Sequence, residues 1–242
     1  MNYAQDNNNP YMNWGMTASQ ADENTRASFI RKTYVHLLGA VLAFCGIEAV
    51  LLNSSIAEPW TNLAFSTQLG WFAILLAFTG VSYLANSWAL STTNLGTQYL
   101  GLGLYVVAQA FITLPLLYVA ETKFGPEIIT NAALLTGVIF VGLTAAVFIT
   151  GTDFSFLRSA LTIGLFAAIG VAFCSWMFGF DPGILFVGAM LVLSAGYILY
   201  YTSNVMHHYR VDQYVAAALA LFAAVALLFW YVLQLLMSLN RR

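Results

Sequence analysis

The sequence predicts an all-α integral membrane protein with seven transmembrane helices, and three observations predict it. Hydrophobic residues make up 60% of the 242-residue chain and charged residues only 7%. A soluble domain carries about 25% charged residues and no more than about half apolar ones. The mean hydropathy is +0.78. Seven long apolar runs lie near the roughly 20 residues that a helix needs to cross a hydrocarbon core about 30 Å thick. None of them shows the period-two alternation of a membrane β-barrel strand. A chain so poor in charge cannot cover its own apolar surface in water, which sets aside a soluble enzyme, a nucleic-acid binder and a disordered protein. The 8 Lys+Arg and 10 Asp+Glu leave a net charge of −2, which gives no basic field for phosphates.

Residues 1–28 are expected to form a disordered polar tail. Met1 to Asn24 are rich in Asn, Gln, Asp and Ser and carry no Lys or Arg, a composition that cannot bury enough surface to order itself. No basic segment precedes a short apolar core and cleavage site, so the tail is not a signal peptide and the first span is retained. Residues 29–242 form the seven-helix transmembrane domain. Its spans run from Tyr34 to Leu52, Leu69 to Trp88, Tyr99 to Ala120, Ile128 to Ile149, Leu157 to Phe178, Ile184 to Tyr201, and Tyr214 to Leu236. The breaks carry helix-stopping or helix-starting residues: Glu58-Pro59, Gly125-Pro126, Gly151-Thr152-Asp153 and Asp181-Pro182-Gly183. Loops this short make successive helices antiparallel neighbours. Pro115, inside the third span, bends that helix and frees a backbone carbonyl.

Orientation follows from the basic residues near the span ends. With the N-terminus inside, Arg26, Arg31, Lys32, Arg158 and Arg210 are cytoplasmic, while Lys123, Arg241 and Arg242 lie outside. The N-terminal cluster sets the expected orientation as N-inside, and an odd number of spans puts the C-terminus outside. The Arg241-Arg242 pair argues the other way, and a re-entrant segment would place both ends in the cytoplasm.

An ionisable group in lipid is a functional candidate by default. Glu48 is the one carboxylate within the seven spans, four residues before the end of the first. It either snorkels to the outer headgroups or faces the interior and lines a water-filled path. His36 lies near the other end of that helix, too far away to pair with it. His207 and His208 fall in the linker before the last span, beside Arg210 and Asp212. Adjacent residues point about 100° apart on a helix, so the two histidines are a poor metal pair; they titrate near neutrality and are candidates for proton sensing. Cys45 and Cys174 both lie in apolar runs, which writes neither a disulfide framework nor a zinc cluster. No nucleophile–base set, metal-binding helix or phosphate loop is present, so no enzyme activity and no cofactor are expected.

Small residues give the packing pattern. Ala216, Ala220 and Ala224 form an i, i+4 stripe on the last span, flanked by Ala217, Ala218 and Ala223. Ala133 with Gly137, and Gly164 with Ala168 and Ala172, do likewise on the fourth and fifth. Such faces let helix backbones approach closely in lipid. The alanine-rich last span is expected to be enclosed by the others.

The stretch Ser194-Ala195-Gly196-Tyr197-Ile198-Leu199-Tyr200, followed by Asp212-Gln213-Tyr214-Val215-Ala216-Ala217-Ala218-Leu219, resembles the signature of the Bax inhibitor-1 family, also called transmembrane BAX inhibitor motif proteins. Asp153-Phe154-Ser155-Phe156-Leu157 and Arg31-Lys32-Thr33-Tyr34 fit the same family. The resemblance runs from about Phe29 onward and is strongest over the last three spans. It implies six helices surrounding a central seventh, a bacterial inner-membrane location, and a pH-sensitive calcium leak linked to stress protection. Another class of role also follows: some bacterial relatives resemble non-transporting regulators that bind a membrane protease or another membrane protein. In the leak-channel members two aspartates on the last two spans form a proton-sensitive latch, since two carboxylates sharing a site do not both ionise cheaply. Here those positions are Tyr201 and Ala224. The second span also lacks the arginine that partners the pair. A phenol titrates near pH 10 and alanine not at all, so this latch is missing. The partners expected are the lipid bilayer, calcium or another cation, and a membrane protease, with no nucleic acid.

Overall fold

The computed structural model describes residues 15–91 and 94–240; expectations that concern residues 1–14, Arg241 and Arg242 lie outside the described residues. Within them the chain forms eight helices: α1 (Glu23–Leu52), α2 (Ala57–Phe65), α3 (Gln68–Ala89), α4 (Leu95–Phe124), α5 (Glu127–Thr150), α6 (Leu157–Phe178), α7 (Gly183–His207) and α8 (Tyr214–Asn240). All but α2 are long and apolar enough to cross a membrane, and they fall on the seven predicted runs. Their ends are set by caps rather than by the loss of apolar residues. Asp22 accepts a hydrogen bond from the Thr25 N–H (3.1 Å), so α1 begins at Glu23 instead of Tyr34. Gly151 and Gly179 close α5 and α6 in the left-handed region, with φ of 60° and 69°, where a side chain would be strained.

The expected disordered tail is corrected over residues 15–28. Thr17 bridges to Arg210, the Ala18 N–H donates to the Tyr209 carbonyl (2.9 Å), and Ser19 Oγ donates to the His207 carbonyl (2.9 Å). Ala18 and Phe29 are buried. Composition does not reveal this because backbone groups carry most of the pairing. These contacts hold residues 16–19 against the α7–α8 turn, and α8 then runs to the opposite end of the bundle.

The short helix α2 went unread in the sequence, and Pro115 explains its place. Proline has no N–H and leaves the carbonyl four residues back unpaired; here that is Phe111. The Trp60 indole N–H donates to the Phe111 carbonyl at 2.8 Å, and the Trp60 and Phe111 rings meet edge-on at 5.8 Å. Ala57 of α2 is buried with Leu51, Ala110 and Leu114. The carbonyl freed by the proline thus becomes the dock for α2.

Two helices share the centre. In their apolar stretches 67% of α8 and 61% of α4 is buried, against 11–28% for the other spans. The last span is enclosed, as its alanines indicate: α8 packs against α1, α3, α4, α5 and α7, while α6 joins the bundle through α7. Ala216, Ala217, Ala218 and Ala224 are buried, and Ala220 is half-buried. The other stripes need correction. Ala133 and Gly137 face outward, and Ala132 and Thr136 turn into the bundle instead. On α6, Gly164 does pack, since a Cβ there would come 2.7 Å from Leu193 Cδ1, whereas Ala172 faces outward. A close backbone approach joins α3 to α4 at Gly101, where a Cβ would lie 2.5 Å from the Ala85 carbonyl oxygen.

Candidate functional site

Ring contacts fix the levels of the three helices around the interior. His36 of α1 meets Tyr99 of α4 (5.5 Å) and Tyr214 of α8 (5.1 Å). Further along, Phe44 and Tyr105 both meet Phe222, at 5.9 and 6.0 Å. Residue numbers rise together on all three, so α1, α4 and α8 run parallel. One turn beyond the aromatic trio lie Glu48, Gln109 and Ala226. Gln109 and Ala226 are close to the midpoints of α4 and α8, so Glu48 sits midway along the bundle, although it is near the end of its own helix.

Glu48 does not snorkel. It is 4% exposed, and among the described residues both carboxyl oxygens are buried without a hydrogen-bond partner. A carboxyl in that state requires a proton or a cation nearby. The neighbouring polar groups on α4 partly satisfy one another: Gln109 Nε2 donates to Thr113 Oγ1 (3.1 Å), which donates to the Gln109 carbonyl (2.7 Å). Among the described residues no three His, Cys, Asp or Glu side chains come together to hold a metal. The layer offers one carboxyl and two neutral side chains, far from the 6–8 oxygens of a calcium cage.

His207 and His208 are not part of that layer. The level of Glu48 is about 18 Å along the axis from the start of α8, at 1.5 Å per residue, and the histidines precede that start. The expectation that both histidines lie in the linker is corrected for His207 only, since His208 follows the helix and is 50% exposed. His207 is the last residue of α7, with its Nδ1 at 3.0 Å from the Ser203 carbonyl, and His208 caps the helix. His208 Nε2 lies 3.0 Å from Asp153 Oδ2 in the α5–α6 loop. Asp153 Oδ1 accepts from the Ser155 N–H (2.9 Å) and from Ser203 Oγ (3.2 Å). The Ser155 backbone N–H, with His208 adding to it, holds the Asp153 carboxyl at a pKa of about 2. Sequence reading missed this knot because Asp153 and His208 are 55 residues apart. The only local trace is the Asp-x-Ser spacing of an Asx turn.

Tyr201 of α7 and Ala224 of α8 belong to one apolar cluster, Ala224 in its buried part and Tyr201 packed against it. Tyr201 stacks on Tyr197 at 5.9 Å and meets Tyr200 edge-on at 5.2 Å. Ala224 is 3% exposed. Neither position offers a carboxyl.

The family model described as inhibitor of apoptosis-promoting Bax1 matches residues 26–241. The chain belongs to the Bax inhibitor-1 family. An uncharacterized protein of Pseudomonas aeruginosa is 29% identical over 226 residues, covering 91% of this chain and 93% of its own length. Protein LIFEGUARD 3 of Arabidopsis thaliana is 27% identical over 239 residues, 96% of this chain and 88% of the relative. Bax inhibitor 1 of Schizosaccharomyces pombe is 26% identical over 220 residues, 90% and 79% of the two chains. In this Bax inhibitor-1 family member the one buried carboxylate residue among the described residues is Glu48 on α1.

Proposed function

We propose that this Bax inhibitor-1 family member passes cations, calcium among them, across a bacterial inner membrane, with Glu48 as the ionisable group on the path. One observation carries the reading: a fully buried carboxyl without a partner, midway along the bundle. Such a group is costly in lipid and persists where it serves an ion or proton. The role fits protection against ionic stress and involves no catalytic step. The basic cluster Arg26, Arg31 and Lys32 favours a cytoplasmic N-terminus.

The test is calcium entry into proteoliposomes loaded with a calcium dye. Flux from the unmodified chain that is lost in Glu48→Gln, with the thermal midpoint in detergent kept or raised, supports the reading. Flux unchanged in Glu48→Gln sinks the role of Glu48. A second reading is favoured by the lack of a carboxyl at Tyr201 and Ala224, which leaves no proton latch: a non-transporting regulator that binds a membrane protease or another membrane protein. Absence of flux in the unmodified chain selects it.

A further inference from the structure

A groove of about 380 Å³ opens outward between α1 and α4. Its floor is apolar, formed by Ala40, Leu102 and Val106, and its walls are thinned by Gly39 and Gly103. A Cβ added at either glycine would meet nothing within 4 Å, so no part of the described chain fills the space. The groove starts at His36 and Tyr99 and reaches Ile47. That is about 16 Å of helix at 1.5 Å per residue, against about 15 Å for one leaflet of a roughly 30 Å core.

The mouth has a defined chemistry. His36 Nδ1 donates to the Lys32 carbonyl (2.6 Å); a carbonyl only accepts, so in the neutral ring Nε2 takes the Tyr99 hydroxyl proton at 2.9 Å. Lys32 is one turn before His36 on the same face of α1, and its Nζ sits 5.5 Å above the Tyr214 ring. Tyr214 is the first residue of α8. Lys32 and Arg31 are exposed, and among the described residues neither has a carboxylate partner.

We propose that this groove binds one anionic phospholipid, with an acyl chain along Gly39 and Gly103 and its phosphate at Lys32. Water does not fill an apolar gap at this depth, and a hydrocarbon chain does. The Lys32 cation at the mouth, which has no carboxylate partner among the described residues, selects a negative headgroup, and a basic residue near such a surface favours it by about five-fold. The inference is independent of whether the bundle conducts ions.

The experiment is native mass spectrometry of the delipidated full-length chain, titrated with phosphatidylglycerol or phosphatidylcholine of identical acyl chains. One phosphatidylglycerol should be retained, about five-fold more tightly than phosphatidylcholine. Lys32→Gln should remove that preference, while Arg158→Gln on α6 should not. Gly39→Leu and, on the other wall, Gly103→Leu should each lower retention of both lipids. Equal retention of the two lipids by the unmodified chain overturns the proposal, as does retention that neither glycine variant weakens. A dimer that dissociates in Gly39→Leu also overturns it, because a second copy would then occupy the groove.

Discussion

The contact between Trp60 and the carbonyl freed by Pro115 can be measured by a double-mutant cycle. Trp60→Phe keeps a ring to pack edge-on against Phe111 (5.8 Å in the native contact) but removes the indole N–H that donates at 2.8 Å. The Phe111 carbonyl then has no donor from residue 115, because that residue is proline. Hydrogen bonds inside membrane proteins average about 0.6 kcal/mol and reach about 1.7. Trp60→Phe is therefore expected to cost about 1 kcal/mol. In the Pro115→Ala background the backbone N–H restored at that position satisfies the Phe111 carbonyl within α4, and most of that cost should vanish. Any change in α4 packing caused by Pro115→Ala alone cancels in the cycle. The assay is reversible unfolding in mixed detergent, followed by circular dichroism. Equal costs for Trp60→Phe in both backgrounds would refute the reasoning and leave α2 docked by ring packing alone.

Gly101→Ala should destabilise by about 1–3 kcal/mol through overpacking, because its Cβ would meet Ala85 O at 2.5 Å and Ala89 N at 2.7 Å; Gly137→Ala, with nothing within 4 Å, should be neutral or stabilising in the same melting assay. Asp153 is held at about 2 in the fold against 3.8 for the free side chain; the stability it adds is present above about pH 4 and lost as pH falls toward 2, so Asp153→Asn should flatten the acid limb of the unfolding midpoint against pH. If the chain conducts, flux should vary little between about pH 6 and 8, since no aspartate pair spans the last two helices. Tyr201→Asp made together with Ala224→Asp should introduce a pH dependence, whereas Ala224→Asp alone should mainly destabilise; steep pH gating in the unmodified chain counts against this account.

The sequence shows the spans clearly because lipid imposes one simple rule, a long apolar run, on every crossing helix. It also shows the enclosed last helix, since four consecutive small or apolar positions from Val215 to Ala218 leave no polar face to turn outward. It does not show which of two adjacent small-residue patterns packs. Ala132 with Thr136 and Ala133 with Gly137 have the same spacing, and only the position of α8 decides between them. The carbonyl freed by Pro115 is legible one helix at a time, but its donor, Trp60, is 51 residues away. Glu48 stands out by its rarity. Its depth does not, because depth measured from the end of α1 assumes that all helices end at one level. Asp153 and His208 look like ordinary loop residues until the α5–α6 and α7–α8 turns are brought side by side.

The early end of α1 also sharpens what Glu48 faces. Leu52 closes the helix one turn beyond Glu48, so the negative end of the α1 dipole lies within a turn of that buried carboxyl. No basic residue occupies the last turn. The terminal carbonyls are capped by neutral groups: Asn53 Nδ2 donates to the Ala49 carbonyl (2.7 Å), and Ser54 Oγ donates to the Leu51 carbonyl (2.6 Å). A helix C-terminus carries about half a negative charge and favours a cation within its last turn. The Glu48 carboxyl, buried one turn before the end, adds to that field when it is ionised. The two effects have the same sign and act at the same level, so a positive charge gains more there than beside Tyr201 and Ala224, where neither a carboxyl nor a helix end is present.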